Sequence, residues 1–218
     1  MSGYITFWSK DYVKELEKNK DIGPFKVVYG SQHTKMPSIS SLKPGDIIYP
    51  VSIQEGTLCV MARLPIKKIE PAFDYLMKET GHMHSSLIPE GILIKSQGPF
   101  GEFNTFSSGS GYSEKVTLPS NIQTVIYEKD LVIKEHNFHQ KPITCCAELA
   151  ASGENGSSIE KRIIPIETAS TMLFGKTKSS QKPLRLDKNG KISSISLSGF
   201  IRKMNDETFE IFEKLFFD

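Results

Sequence analysis

Two largely apolar runs, IIYPVSI over residues 47–53 and TLCVMAR over residues 57–63, stand on either side of Gln54, Glu55 and Gly56. Short apolar runs bounded by turn residues read as strands, whose side chains alternate between two faces, and two such runs around a short turn predict an antiparallel hairpin. The alternation sets Ile47, Tyr49, Val51 and Ile53 on one face, and Leu58, Val60 and Ala62 on one face of the returning strand. Pro50 has no N–H to give to a neighbour, so it implies an edge or a bulge. Pro44 and Gly45 turn the chain into the hairpin, Pro65 ends it, and the IKKI of residues 66–69 fits a further short strand.

The remaining pattern is of short elements. Residues 11–19 read as a helix capped by Ser9, with Tyr12, Val13 and Leu16 at helical spacing. Val27, Val28 and Tyr29 predict a strand, residues 36–46 a loop, and residues 73–78 a helical turn. Residues 96–113 are rich in Gly and Ser, with Phe100, Phe103, Phe106 and Tyr112 interleaved, and read as a long loop or linker. One or two strands are expected over 121–135, a strand or helix over 142–151, a strand over 161–167 and a helix over 167–174. The Asn189-Gly190 pair predicts a hairpin within 184–193. A last strand over 195–204 leads to a closing helix capped by Asn205 or Asp206, with Phe209, Phe212, Leu215 and Phe216 on one side. Many short strands with few short helices predict an α+β protein, mostly antiparallel β-barrel, rather than alternating βα units. The expected organisation is a barrel region over 1–95, the Gly/Ser-rich loop over 96–113, and a second β-rich part over 114–218 packed with the first as one compact unit.

Composition adds class and compartment. Hydrophobic residues are 38% and charged residues 24%, as in soluble globular proteins. No run approaches the roughly 18 apolar residues of a membrane helix, and the N-terminus turns charged too soon for a secretory signal. Three cysteines, with Cys145 and Cys146 adjacent, argue against a disulfide framework and suit a reducing cytoplasm. The net charge of +2 conceals an asymmetry. Residues 161–203 carry ten Lys or Arg against two acids, Glu167 and Asp187, a surplus of eight that leaves the remainder at −6. Such a surplus marks either a phosphate-facing surface or a solvated loop.

Candidate chemistry is sparse. His136 and His139 stand three apart with Cys145 and Cys146 nearby, and His82 and His84 form a second pair. Imidazole and thiolate suit zinc, but adjacent cysteines rarely both reach one ion and no second pair stands at finger spacing. Gly98, Gly101, Gly109 and Gly111 do not match a phosphate loop, and Gly175-Lys176-Thr177 lacks the upstream glycine of one. No GxSxG elbow is present. The nucleic-acid signal is composite: a basic C-terminal third, with aromatics at Trp8, Tyr12 and 100–112 that suit base stacking.

The phrase LKPGDIIYPVSIQEGTLCVMARLPI resembles PUA-like barrels, including EVE and ASCH domains, in which a Gly-Asp opens a strand of the barrel wall. The layout also resembles an uncharacterised bacterial protein family. There, a similar hairpin precedes a tail matched here at Cys146, Gly156, Arg162, Pro165, Leu173, Phe174, Leu186, Asn189, Gly190, Lys191, Ile192, Ser196, Leu197 and Gly199. The likeness covers about residues 41–66 and 145–204. It implies a PUA-like barrel, whose relatives bind RNA or modified bases between barrel and loops; this is an argument from fold. The expectation is a cytoplasmic, non-enzymatic binding module for RNA or DNA, taking a modified or flipped base and needing no cofactor. Arg162, Lys176, Lys178, Lys182, Arg185 and Lys188 would meet phosphates, and Trp8 or Phe103 would stack. Two alternatives stand beside it. One is a metal-dependent hydrolase or nuclease using His82, His84, His136 or His139. The other is a protein-interaction module, such as a toxin-system or effector component, with the Gly/Ser-rich loop as its contact.

Overall fold

The computed structural model describes residues 1–30, 39–80, 92–98, 101–107, 112–113, 124–127, 149–175, 177–197 and 201–217, with backbone pairing alone between 92 and 127. Along the chain lie β1 (Gly3–Phe7), α1 (Lys10–Lys18), β2 (Val27–Gly30), β3 (Ile47–Gln54), β4 (Thr57–Val60), β5 (Leu64–Pro65), β6 (Lys68–Pro71), α2 (Ala72–Thr80) and β7 (Ile92–Gly98). There follow β8 (Gly101–Ser107), β9 (Tyr112–Ser113), β10 (Thr124–Tyr127), β11 (Leu149–Ser152), β12 (Arg162–Ile164), α3 (Ile166–Ala169), β13 (Leu173–Gly175), β14 (Lys182–Pro183), β15 (Arg202–Met204) and α4 (Asp206–Phe217). Short 3-10 turns occupy Lys178–Ser180 and Ser194–Ser196. None of the described helices is long and apolar enough to cross a membrane.

The expected hairpin forms, with Gln54 opposite Thr57. Glu55 and Gly56 make the turn, both at positive φ (54° and 87°), which matches the twist of the flanking strands. Gly56 is also required sterically, because a Cβ there would lie 2.5 Å from the Lys191 stem. The returning strand is interrupted. Val51 faces Val60 and Ile48 faces Leu64, so two residues of β3 stand opposite three residues, 61–63. This is a bulge, and it sits opposite Pro50. Met61 still donates to the Pro50 carbonyl at 2.8 Å, while its own carbonyl receives Glu160 N–H at 2.9 Å instead of the N–H that proline lacks. Pro50 therefore marks a bulge and not an edge: on its other side β3 runs parallel to β1, from Gly3 opposite Ile47 to Phe7 opposite Val51. The bulge also reverses the alternation. Leu58 and Val60 enter one core cluster, whereas Ala62 and Leu64 enter the other, so Ala62 does not share the face expected for it.

The largest sheet has the order β12-β4-β3-β1-β15-β13-β14, with β5 also on β3, and it curls into half a barrel. Strands from both expected parts of the chain share it, with β15 pairing β1 antiparallel. Residues 96–113 are not an unstructured linker throughout: β7 and β8 form a hairpin from Leu93 opposite Phe106 to Gly98 opposite Gly101. With β9 and β10 they make a separate four-stranded sheet, β10-β7-β8-β9. A third sheet, β2-β11-β6, joins three segments distant in sequence. The helix expected over 167–174 stops at Ala169, because Leu173–Gly175 pairs with β14 and β15 and Phe174 is buried. Of the strand expected over 195–204, Arg202–Met204 forms, Ser194–Ser196 is a 3-10 turn instead, and residues 198–200 lie outside the described residues. The 184–193 turn forms with one bridge, Leu186 to Ile192, and the Asp187 carboxylate accepts Asn189 N–H (2.7 Å) and Lys191 N–H (2.9 Å).

Three clusters of apolar side chains layer the main sheet and the β2-β11-β6 sheet. Ile5, Ile47, Tyr49, Val51, Leu58, Val60 and Ile164 meet Phe174, Leu184, Ile192 and the α4 residues Phe209, Phe212, Leu215 and Phe216 on one face of the main sheet. The opposite face carries Tyr4, Ile48, Cys59 and Met61 against α1 residues Tyr12, Val13 and Leu16 and against Phe25, Val28 and Ala151. The other side of the β2-β11-β6 sheet packs Val27, Tyr29 and Ala150 against Ala72 and Tyr75 of α2. Both predicted caps are present: Ser9 Oγ accepts Tyr12 N–H at 3.1 Å, and Asn205 Oδ1 accepts Thr208 N–H at 3.0 Å. The Gly-Asp feature pins the start of β3, since the buried Asp46 carboxylate accepts Ser2 N–H (2.9 Å) and Lys43 N–H (3.0 Å).

A polar clamp fastens α4. Arg63 holds Glu213 through Nε (2.6 Å) and Nη2 (2.9 Å), and the fully buried Tyr49 donates its hydroxyl to the same carboxylate. Burial works to raise the Glu213 carboxyl; the hydrogen bonds from Arg63 and Tyr49, with the guanidinium charge, overcome it and hold the group below its ordinary value. A carboxyl lowered on folding adds stability above its ordinary pKa, and that stability is lost as pH falls through the lowered value. Glu213→Gln is therefore expected to cost roughly 1–3 kcal/mol at neutral pH. The variant should also show a shallower loss of stability than the wild type as pH falls through and below the ordinary carboxyl range, measured by urea unfolding. Parallel acid limbs for the two proteins would rule the clamp out as a source of acid sensitivity. The second expectation concerns Gly156, where a Cβ would lie 1.6 Å from the Phe25 carbonyl oxygen. Backbone cannot give way as a side-chain tip can, so Gly156→Ala should lower the unfolding free energy by about 3 kcal/mol in the same assay.

Candidate nucleic-acid interface

The basic residues singled out in the sequence separate into engaged and open groups. Arg162 lies in β12, at one end of the main sheet. Its guanidinium sits 4.3 Å from the Phe216 ring centroid, and it bonds Glu160 through the carboxylate (3.0 Å) and the backbone carbonyl (3.2 Å). It braces α4, and part of its charge is already answered. Lys182 begins β14 at the opposite end of the strand order. Lys182, Arg185 and Lys188 are exposed, and Lys191, which charge counting did not single out as a phosphate contact, is exposed beside them. None of these four makes an ion pair with an acid among the described residues.

Their support is firm although their tips are in water. Leu184 and Ile192 are buried in the same core as α4, and Arg185 carbonyl accepts Ser193 N–H at 2.9 Å. Ile192 N–H donates to the Gly56 carbonyl at 2.9 Å, which ties this turn to the tip of the β3–β4 hairpin. Asp187, the acid within the turn, is occupied by the two backbone N–H groups of Asn189 and Lys191. The arrangement presents three ammonium groups and one guanidinium over ten residues on a braced support. Ammonium groups act on phosphate as point charges, and the guanidinium adds a planar fork.

Trp8 must be withdrawn as a stacking platform. It is 3% exposed, and its ring meets Tyr12 (5.0 Å) and Phe25 (5.4 Å) edge to face. The chain turns it inward at the end of β1, where Trp8 N–H donates to the Val51 carbonyl at 2.8 Å. Phe103 lies in β8 opposite Ser96, and its side chain is outside the described residues. Lys176 also lies outside them, as does the side chain of Lys178, whose backbone starts a 3-10 turn. His82, His84, His136, His139, Cys145 and Cys146 lie outside as well. Among the described residues no group of three or more His, Cys, Asp or Glu side chains is placed to hold a metal ion.

A second gathering of cations was not visible in the sequence. Lys26, Lys67, Lys68 and Lys78 line a cleft of about 620 Å³ with Glu70, Glu79, Glu154, Tyr75, Ser152 and Gly153. The cleft lies where the β2-β11-β6 sheet meets α2, and three separate stretches of chain supply its lysines, so no local run of charge announces it.

No family model matches the chain, and no curated protein or solved structure matches it either.

Proposed function

We propose that this chain is a non-enzymatic module that binds nucleic acid through its exposed basic segment, residues 182–191, and that its curled sheet is the wall of a PUA-like barrel. The observation that carries the reading is the set formed by Lys182, Arg185, Lys188 and Lys191: four exposed cations, no acid paired to them among the described residues, and a backbone anchored in the core. A strand of nucleic acid offers such a segment the ion partners that the described residues do not. Phosphate contacts position a nucleic acid without reading it, so this segment by itself gives sequence-tolerant binding. Recognition of a modified or flipped base needs an aromatic face in addition, and with Trp8 buried that part falls to Phe103.

Each phosphate neutralised releases a counterion, so affinity should fall steeply with salt, at a slope of about −0.7 to −0.9 per phosphate. Lys182→Ala with Arg185→Ala is expected to weaken binding to all sequences alike and to flatten that slope by about one unit for each phosphate no longer neutralised. Phe103→Ala should lower affinity with the slope unchanged. Titrations against single-stranded and duplex DNA and RNA separate the two effects. Absence of binding to all four at about 50 mM salt, where electrostatic affinity is favoured, would leave 182–191 as a solvated surface and bring the protein-interaction reading forward.

A further inference from the structure

The lysine-lined cleft has an internal order that the open basic segment lacks. Lys68 and Glu70 are two apart on β6 and share the face turned toward α2, while Ile69 between them packs toward the main sheet. Glu70 lies low in the cleft, with its side chain 10% exposed, and one of its oxygens accepts from both Lys68 and Lys78, the latter at 2.7 Å. The two lysines are 54% and 59% exposed. Each ammonium carries three protons, so the bond to Glu70 leaves both with donors facing the cleft. A carboxylate on the floor thus holds two like-charged groups together that would otherwise repel. Burial works against the charge of Glu70, but its bonds to Lys68 and Lys78 hold its carboxyl below the usual value, so it stays ionised in this role.

The rest of the lining narrows the ligand. The backbone at the floor is already satisfied, with Lys67 N–H on the Ser152 carbonyl (2.8 Å) and Gly153 N–H on the Lys26 carbonyl (3.0 Å). Recognition therefore falls to side chains. Lys67 is paired to Glu154 at 2.6 Å, with both side chains largely exposed, and such a pair gives way readily to a better anion. Lys26 is exposed and has no acid partner among the described residues. Four lysines against three glutamates leave a surplus of one positive charge. The volume, about 620 Å³, is that of a small-molecule site. Glu79 and Glu154 bear negative charge into the same cleft, which disfavours a phosphate chain running on past it and favours a compact ligand.

We propose that the cleft binds a small molecule carrying two or more phosphate groups, with Lys68 and Lys78 as its paired donors, Lys26 and Lys67 as flanking donors, and Glu70 as the positioning residue. This site is separate from residues 182–191 and does not depend on their role.

Inorganic tripolyphosphate, titrated calorimetrically into the full chain at about 50 mM salt, is the test. One saturable site is expected. Lys78→Met should weaken it by about tenfold, the equivalent of one charge-assisted hydrogen bond. Lys26→Ala breaks no ion pair among the described residues, so it tests the cleft without disturbing Glu70, and it should weaken binding by about threefold. The pair Lys182→Ala and Arg185→Ala should leave tripolyphosphate affinity within about twofold while nucleic-acid binding falls. Thermal unfolding of each variant confirms that it is folded. The proposal is overturned if no saturable binding is seen, or if folded Lys78→Met and Lys26→Ala both bind as the wild type does. It is equally overturned if a single-stranded oligonucleotide displaces tripolyphosphate competitively, since the cleft would then belong to a strand path.

Discussion

Strand β3 has to satisfy two cores at once, and the architecture follows from that demand. Ile47, Tyr49 and Val51 point into the layer under α4, and Ile48 points into the layer shared with α1 and the small sheet. A strand buried on both faces needs partners on both edges as well, or its backbone groups go unanswered. One edge is met by β1, in parallel, which requires the chain to cross over between them; residues 8–46, with α1 and β2, are that crossover. The other edge is met by β4 and β5, and the bulge between them absorbs the missing proline N–H. That bulge also hands Ala62 and Leu64 to the second core, so one irregularity decides how the returning chain divides between the two layers.

Sequence pattern revealed what is local. The hairpin turn, the Ser9 and Asn205 caps, the apolar stripe of α1 and the aromatic side of α4 depend on neighbours within a few residues. What escaped depends on distant pairing. Nothing near Val27, Leu149 or Lys68 announces that these strands form one sheet. Residues 167–174 have helical composition, but the strands on either side of β13 override it from Leu173 onward. The parallel β1–β3 pair is hidden for the same reason. A pattern with a period of two states that a strand has two faces, not which strands border it.

The candidate sites divide in the same way. A surplus of eight charges over 161–203 is legible by counting, and Lys182, Arg185, Lys188 and Lys191 within it are exposed. Counting could not show that Arg162 is stacked on Phe216 and bonded to Glu160, or that Trp8 is enclosed by Tyr12 and Phe25. Each of those facts is made by a residue brought from another element. The cleft lysines are the extreme case, since Lys26, Lys67 and Lys78 become neighbours only after the small sheet and α2 are assembled. The two cationic surfaces also differ in kind: in one, the single nearby acid, Asp187, is taken up by backbone N–H groups and no cation is ion-paired among the described residues, while the other is framed by carboxylates that fix where its ammonium groups stand.

The pairing of Tyr4 with Lys203 has a consequence for biosynthesis. During synthesis β1 is made well before β15, about two hundred residues earlier, and its second edge stays uncovered until β15 follows. Until then the nascent sheet offers an unpaired backbone edge, and the apolar face that α4 will close is open to its surroundings. Edges and faces of this kind are the surfaces through which incomplete chains associate with one another. Completion of this fold therefore waits for residues 202–217, however early the rest of the sheet has formed.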